Sequence, residues 1–120
     1  MKGAYLGPEK TFTEKAATTM LPGLELIALK PISRVVKAVE SGIVNYGVIP
    51  AENYYNGWVN ITLDALTRSE GVYITEEKAL QVVHCFGALS ERESIKRVLS
   101  KDQAIDQCVG FLDKNYPEAD

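Results

Sequence analysis

Three stretches of the sequence set hydroxyl, amide or carboxylate side chains at strand-to-helix turns: residues 7–13, 52–58 and 100–107. In the first, Thr11-Phe12-Thr13-Glu14 has the form of a capping box, with Thr11 as N-cap and Glu14 three residues on. In the third, Ser100-Lys101-Asp102-Gln103 has the same spacing, and Gln107 follows on the helix. Both place a hydroxyl beside free backbone N–H groups and the positive end of a helix dipole. Such ends take carboxylate or phosphate without a further cation. The middle stretch, with Glu52, Asn53, Tyr54, Tyr55 and Asn56, follows an apolar run over residues 46–49 that stops at Pro50. Proline has no N–H for a ladder and suits the end of a strand. Capping and turn satisfaction account for any one of these turns. Three facing one cleft would suit a small polyanion.

Other chemistries find no support in the residues. There is one histidine, His84, beside Cys85 in an apolar run, and it reads as a packed strand residue rather than a base. No serine–histidine–acid set, phosphate-binding glycine loop or metal cluster is visible. The two cysteines, Cys85 and Cys108, form no CxxC and imply neither a disulfide framework nor a zinc site. A net charge of −3 and a pI near 5.2 argue against nucleic acid. No apolar run would span a bilayer, and the apolar start is too short for a signal peptide. A cytoplasmic protein with reduced thiols is the expectation. With 120 residues, 46% apolar and 24% charged, the sequence reads as one soluble domain or part of one.

The elements that must carry the turns follow from periodicity. Residues 3–6 predict a strand and Thr11 starts a helix that Pro22-Gly23 ends. A second strand is expected over residues 24–29. Ser33 caps the next helix, Val35, Val36 and Val39 form its buried stripe, and Gly42 stops it. Residues 46–49 make the third strand, residues 51–57 a loop. Val59, Thr62, Leu63 and Leu66 then fall at i, i+3, i+4 and i+7 of a helix. This βαβαβα order predicts a mainly parallel sheet with helices on its faces. Ligands bind such sheets at the carboxyl ends of the strands. Beyond Gly71, residues 72–89 read as one or two extended strands crossing into a second lobe. Residues 90–94 read as a polar turn or short helix and residues 95–99 as a strand. A helix then buries Ile105, Cys108, Val109 and Leu112. The end at Asp120, where a βαβ unit needs its returning strand, reads as a truncation.

Four stretches together resemble prephenate dehydratases. Gly7-Pro8-Glu9-Lys10-Thr11-Phe12-Thr13 is similar to that family's Gly-Pro-x-Gly-Thr-Phe-Ser opening. Gly47-Val48-Ile49-Pro50-Ala51-Glu52-Asn53, with Gly57, Val59, Thr62, Leu63 and Asp64, resembles its Gly-Val-Val-Pro-Ile-Glu-Asn-Ser segment. Val83-His84-Cys85 is similar to its His-Cys or His-His strand. Residues 95–100 with Gln103-Ala104 and Gln107-Cys108 resemble its Ser-His-Pro-Gln-Ala-x-x-Gln-Cys helix.

The resemblance implies an α/β fold of two lobes, like a type II periplasmic binding protein, incomplete in this chain. Residues 1–74 would form the first lobe and residues 75–120 the start of the second, with no ACT domain. It implies a lyase of phenylalanine biosynthesis that converts prephenate to phenylpyruvate in the cleft between lobes, losing water and carbon dioxide and needing no cofactor or metal. Carried over by position, Thr11, Thr13, Glu52, Asn53, Ser100 and Gln107 would bind the dicarboxylate. The catalytic residue stays unassigned, because the family's Thr-Arg-Phe motif is absent, and the chain as given is expected to be nearly inactive. A homo-oligomer, or association with a missing C-terminal half, is the expected assembly. The alternatives are a non-catalytic small-carboxylate binding module and an arogenate dehydratase. The departures are Lys10 for glycine, Tyr54 for serine, Trp58 for a small residue, and Lys101-Asp102 for His-Pro.

Overall fold

The structure is a computed structural model that describes residues 1–89, 91 and 94–120. It divides into two compact units, Met1–Gln81 and Val82–Asp120.

The first unit is an α/β layer. Strand β1 (Lys2–Leu6) lies between β2 (Glu25–Leu29) and β3 (Tyr46–Val48), parallel to both, in the order β2-β1-β3. Helix α1 (Phe12–Met20) links β1 to β2, and α2 (Ile32–Glu40) links β2 to β3. The links run in opposite directions along the sheet, so right-handed crossovers put α1 and α2 on opposite faces. Side chains alternate accordingly. A side chain at Gly3 would meet Leu21, just past α1, whereas one at Gly47 would meet Val35 and Val39 of α2. The main buried cluster lies on the α2 side, where Ala4, Val35, Ala38 and Val44 are buried against Ile27, Leu29, Val39 and Ile49, while Tyr5 and Ala17 are buried on the α1 side. The parallel sheet and the α2 stripe are as the periodicity predicts, with Ile32 and Ala38 added and Val39 half-buried.

Ser33 does not cap α2. The N-cap is Pro31, which leaves Ser33 inside the first turn. Gly42, at φ 71, does follow the C-cap Ser41 in the left-handed conformation that glycine adopts freely. The loop expected over residues 51–57 is instead a small antiparallel ribbon of β4 (Glu52–Asn53) and β5 (Gly57–Trp58). Helix α3 (Asn60–Thr67) follows and packs on α2. Of its expected stripe only Thr62 is buried, Val59 and Leu66 are half-buried, and Leu63 is exposed.

Residues 72–89 contain no helix or strand, so their apolar, β-branched composition gives extended chain without a ladder. Of the turn expected over residues 90–94, Ser90, Arg92 and Glu93 lie outside the described residues. The second unit is built on α4 (Asp102–Asn115). Residues 95–99 form no strand, but Asp120 N–H donates to the Lys96 carbonyl at 3.0 Å and the Asp120 carbonyl accepts from Val98 N–H at 2.7 Å. That alternation is the pattern of a parallel bridge centred on Arg97. On α4, Ile105, Cys108 and Leu112 are half-buried, while Val109, expected inside, is exposed.

Candidate functional site

The chain reverses its direction of winding at β1, so the turns after β1 and β3 leave the same edge on either side of the switch point. In open α/β sheets that crevice is the ligand position. Thr11 and Thr13 belong to the first turn, Glu52 and Asn53 to the second.

The first turn is tied down by Glu14. The Glu14 backbone N–H donates to the Thr11 hydroxyl at 3.4 Å, closing the predicted cap. Its carboxylate does not return to the N-cap but reaches one residue further, taking the Lys10 N–H on one oxygen and the Tyr5 hydroxyl at 3.1 Å on the other. Tyr5 is buried in β1, and burial first, then the hydrogen bond to Glu14 and its charge, raise its pKa above 10.0. Thr11 gives its only hydroxyl proton to the Pro8 carbonyl at 2.9 Å, so its side chain keeps no hydroxyl proton for a ligand. Thr13 is half-buried in the first turn of α1. Lys10 sits at φ 62, a left-handed conformation, which explains why a glycine suits this position.

The second turn separates its two polar residues. Glu52 and Asn53 are successive in β4 and leave opposite faces of the ribbon. Asn53 is half-buried opposite Gly57, and its Oδ1 accepts from Tyr55 N–H at 3.0 Å, a bond that does not engage its NH2 group. Glu52 is exposed opposite Trp58 and takes no hydrogen bond among the described residues. The base of the ribbon is fixed by Thr62, 1% exposed, whose hydroxyl donates to the Pro50 carbonyl at 2.6 Å, and by Val59 N–H on the Ala51 carbonyl at 2.9 Å.

In the second unit the cap expected from Ser100 does not form. Lys101 is the N-cap of α4, without a side-chain bond, and Ser100 is exposed one residue before it. Gln107 lies in the second turn of α4, half-buried, with its Oε1 2.8 Å from His84 Nε2. His84 is therefore not a packed strand residue. It is exposed, in extended chain, and partners a predicted site residue. Its segment is held to α4 by Phe86, which stacks on Tyr116 with centroids 4.8 Å apart and lies 6.4 Å from Phe111. The adjacency of His84 to Cys85 hid this role, since an apolar run reads as core. Among the described residues no group of three or more His, Cys, Asp or Glu could hold a metal, and no helix is long and apolar enough to cross a membrane.

These turns can take carboxylates on amide and N–H donors, with a carboxylate of their own at Glu52. Comparison with known proteins identifies the family. The profile of the prephenate dehydratase family matches residues 4–120. The bifunctional chorismate mutase/prephenate dehydratase of Pseudomonas aeruginosa is 37% identical over 100% of this chain and 33% of its own length. The prephenate dehydratase of Lactococcus lactis subsp. lactis is 32% identical over 99% of this chain and 43% of its own. A solved prephenate dehydratase of Arthrobacter aurescens, in complex with L-Phe, superposes with a TM-score of 0.82 at 28% identity, over 100% of this chain and 40% of that one. The chain thus spans well under half the length of these relatives. With an α/β fold, a parallel sheet and matches along its whole length, it belongs to the prephenate dehydratase family.

Proposed function

We propose that the protein containing this chain is a cytoplasmic lyase of phenylalanine biosynthesis that converts prephenate to phenylpyruvate. The carrying observation is the pair of polar turns at the carboxyl edge of β1 and β3, flanking the switch point, in a chain of this family. In the reaction the bond to the ring carboxylate breaks and its electron pair enters the ring. The hydroxyl on the opposite carbon leaves with a proton as water, and carbon dioxide is released. Aromatisation drives both cleavages, so the protein has mainly to orient the dianion and assist the departing hydroxide.

The chain's own residues supply orientation. Thr13 and the start of α1 offer N–H and hydroxyl groups on one side of the switch point, and the Asn53 NH2 group offers donors on the other. Gln107 and Ser100 add an amide and a hydroxyl, Thr11 holds the first turn, and Glu52 presents a carboxylate. Together these six residues are the proposed substrate-binding set, and homo-oligomer formation belongs to the same reading.

The test is phenylpyruvate formation by the protein expressed from the reading frame that includes these residues. Turnover that falls about tenfold or more in Asn53→Ala and Gln107→Ala, with folding retained, supports the assignment. Unchanged turnover in both variants would remove these residues from the site.

A further inference from the structure

We propose that Trp58 is a specificity-determining residue: with Glu52 it forms an indole–carboxylate face that favours the ligand bearing an ammonium group over its keto counterpart. The inference rests on the reading of Glu52 as a site residue and goes beyond it by naming what that residue meets.

Glu52 and Trp58 are directly paired across the β4–β5 ribbon. Residues opposite one another in an antiparallel pair project from the same face, with Cβ atoms about 4.5–5.5 Å apart. On the other face the pair is Asn53 with Gly57, so one side of the ribbon carries an indole and a carboxylate and the other only an amide. Trp58 is 61% exposed, and Glu52 is exposed without a hydrogen-bond partner among the described residues. Neither is committed to the fold. Residues 51–59 include no lysine or arginine, and Tyr54 and Tyr55 add two more exposed rings at the tip, edge to face at 5.3 Å.

The Glu52–Trp58 face of the ribbon repels the carboxylates of a dianion, which must be held by donors off that face, such as Asn53 on the opposite one. What it attracts is a cation, by the Glu52 charge and by the negative face of the indole ring. A keto oxygen in the same place would lie against the carboxylate and the indole face, with only the indole N–H able to meet it. Prephenate and arogenate differ at one carbon, where the first has a keto group and the second an ammonium. They form the natural pair of probes.

The experiment measures kcat/KM for prephenate and for arogenate in the wild type, Trp58→Phe, Trp58→Ser and Glu52→Gln. The wild type is expected to turn over both, and its arogenate-to-prephenate ratio measures the preference. Trp58→Ser should cut that preference by about 3- to 30-fold, the range of cation–π attraction, acting mainly on arogenate, with Trp58→Phe between the two. Glu52→Gln should reduce the preference as well. Equal changes for both substrates, or none, would overturn the proposal. So would loss of an oligomer in Trp58→Ser with the preference intact, since Trp58 would then serve an interface. Should neither compound be turned over, the dehydratase reading fails by itself. Trp58 fluorescence, taken as the difference from Trp58→Phe and titrated with each compound, still decides the preference.

Discussion

His84 Nε2 lies 2.8 Å from Oε1 of Gln107, a contact that spans 23 residues of chain. An amide oxygen only accepts, so with Oε1 toward the ring the bond takes the tautomer protonated on Nε2. The bond turns the Gln107 NH2 group away from the ring and fixes where its two donors go. His84 is on this geometry a positioning residue for Gln107. His84→Ala is expected to raise KM about 3- to 10-fold, the worth of one modest hydrogen bond, with a smaller change in kcat and an unchanged circular dichroism spectrum. Equal KM values would show that Gln107 needs no partner.

Lys10 gives a second prediction. It holds a left-handed backbone conformation that costs a residue with a side chain about 1–2 kcal/mol, partly offset because glycine loses more chain entropy on folding. Its N–H bond to Glu14 is made by the backbone and survives substitution. Lys10→Gly should therefore raise stability by roughly 0.5–1 kcal/mol, read as a higher urea midpoint at constant m. A lower midpoint would mean that the lysine side chain carries stability of its own.

The Tyr5–Glu14 contact makes stability depend on alkaline pH. Burial of Tyr5, then its bond to the Glu14 carboxylate, raises the phenol pKa in the folded chain above 10.0. An acid raised on folding contributes stability that is fully present below its unfolded pKa and is lost as pH rises past it, because the unfolded chain releases the proton first. The melting temperature of the wild type should fall more steeply above pH 10 than that of Tyr5→Phe. Parallel curves would remove Tyr5 from the alkaline transition.

What the sequence made legible divides along physical lines. The parallel sheet and α2 were readable because five-residue strands and a nine-residue helix carry a period. Gly47 was quoted only as part of a motif, and the structure gives its reason: a Cβ there would lie 3.0 Å from Val35 Cγ1 and Val39 Cγ2, so glycine lets α2 approach β3. The β4–β5 ribbon escaped detection because strands of two residues have no period, and its register alone pairs Glu52 with Trp58. At Thr11 the box spacing found a real cap, while the same spacing at Ser100 did not, since α4 begins two residues after the serine. His84 was missed because a contact between residues 84 and 107 leaves no local signal.

Thr62 ties the candidate site to the fold. Thr62 is 1% exposed, and its hydroxyl donates to the Pro50 carbonyl at 2.6 Å. That carbonyl ends the run that leads from β3 into the ribbon, two residues before Glu52. Thr62→Val keeps the shape of the side chain and strands the acceptor, which costs about 1–3 kcal/mol. Thr62→Ser keeps the donor and loses one methyl group, worth about 0.8 kcal/mol. Denaturant unfolding should therefore rank the chains wild type, Thr62→Ser, Thr62→Val in falling stability. Because the lost bond anchors the base of the ribbon, Thr62→Val should also raise KM, and Thr62→Ser should restore it. A valine variant as stable as the serine variant would show that the bond to Pro50 contributes nothing net, and that packing alone holds α3 against the turn.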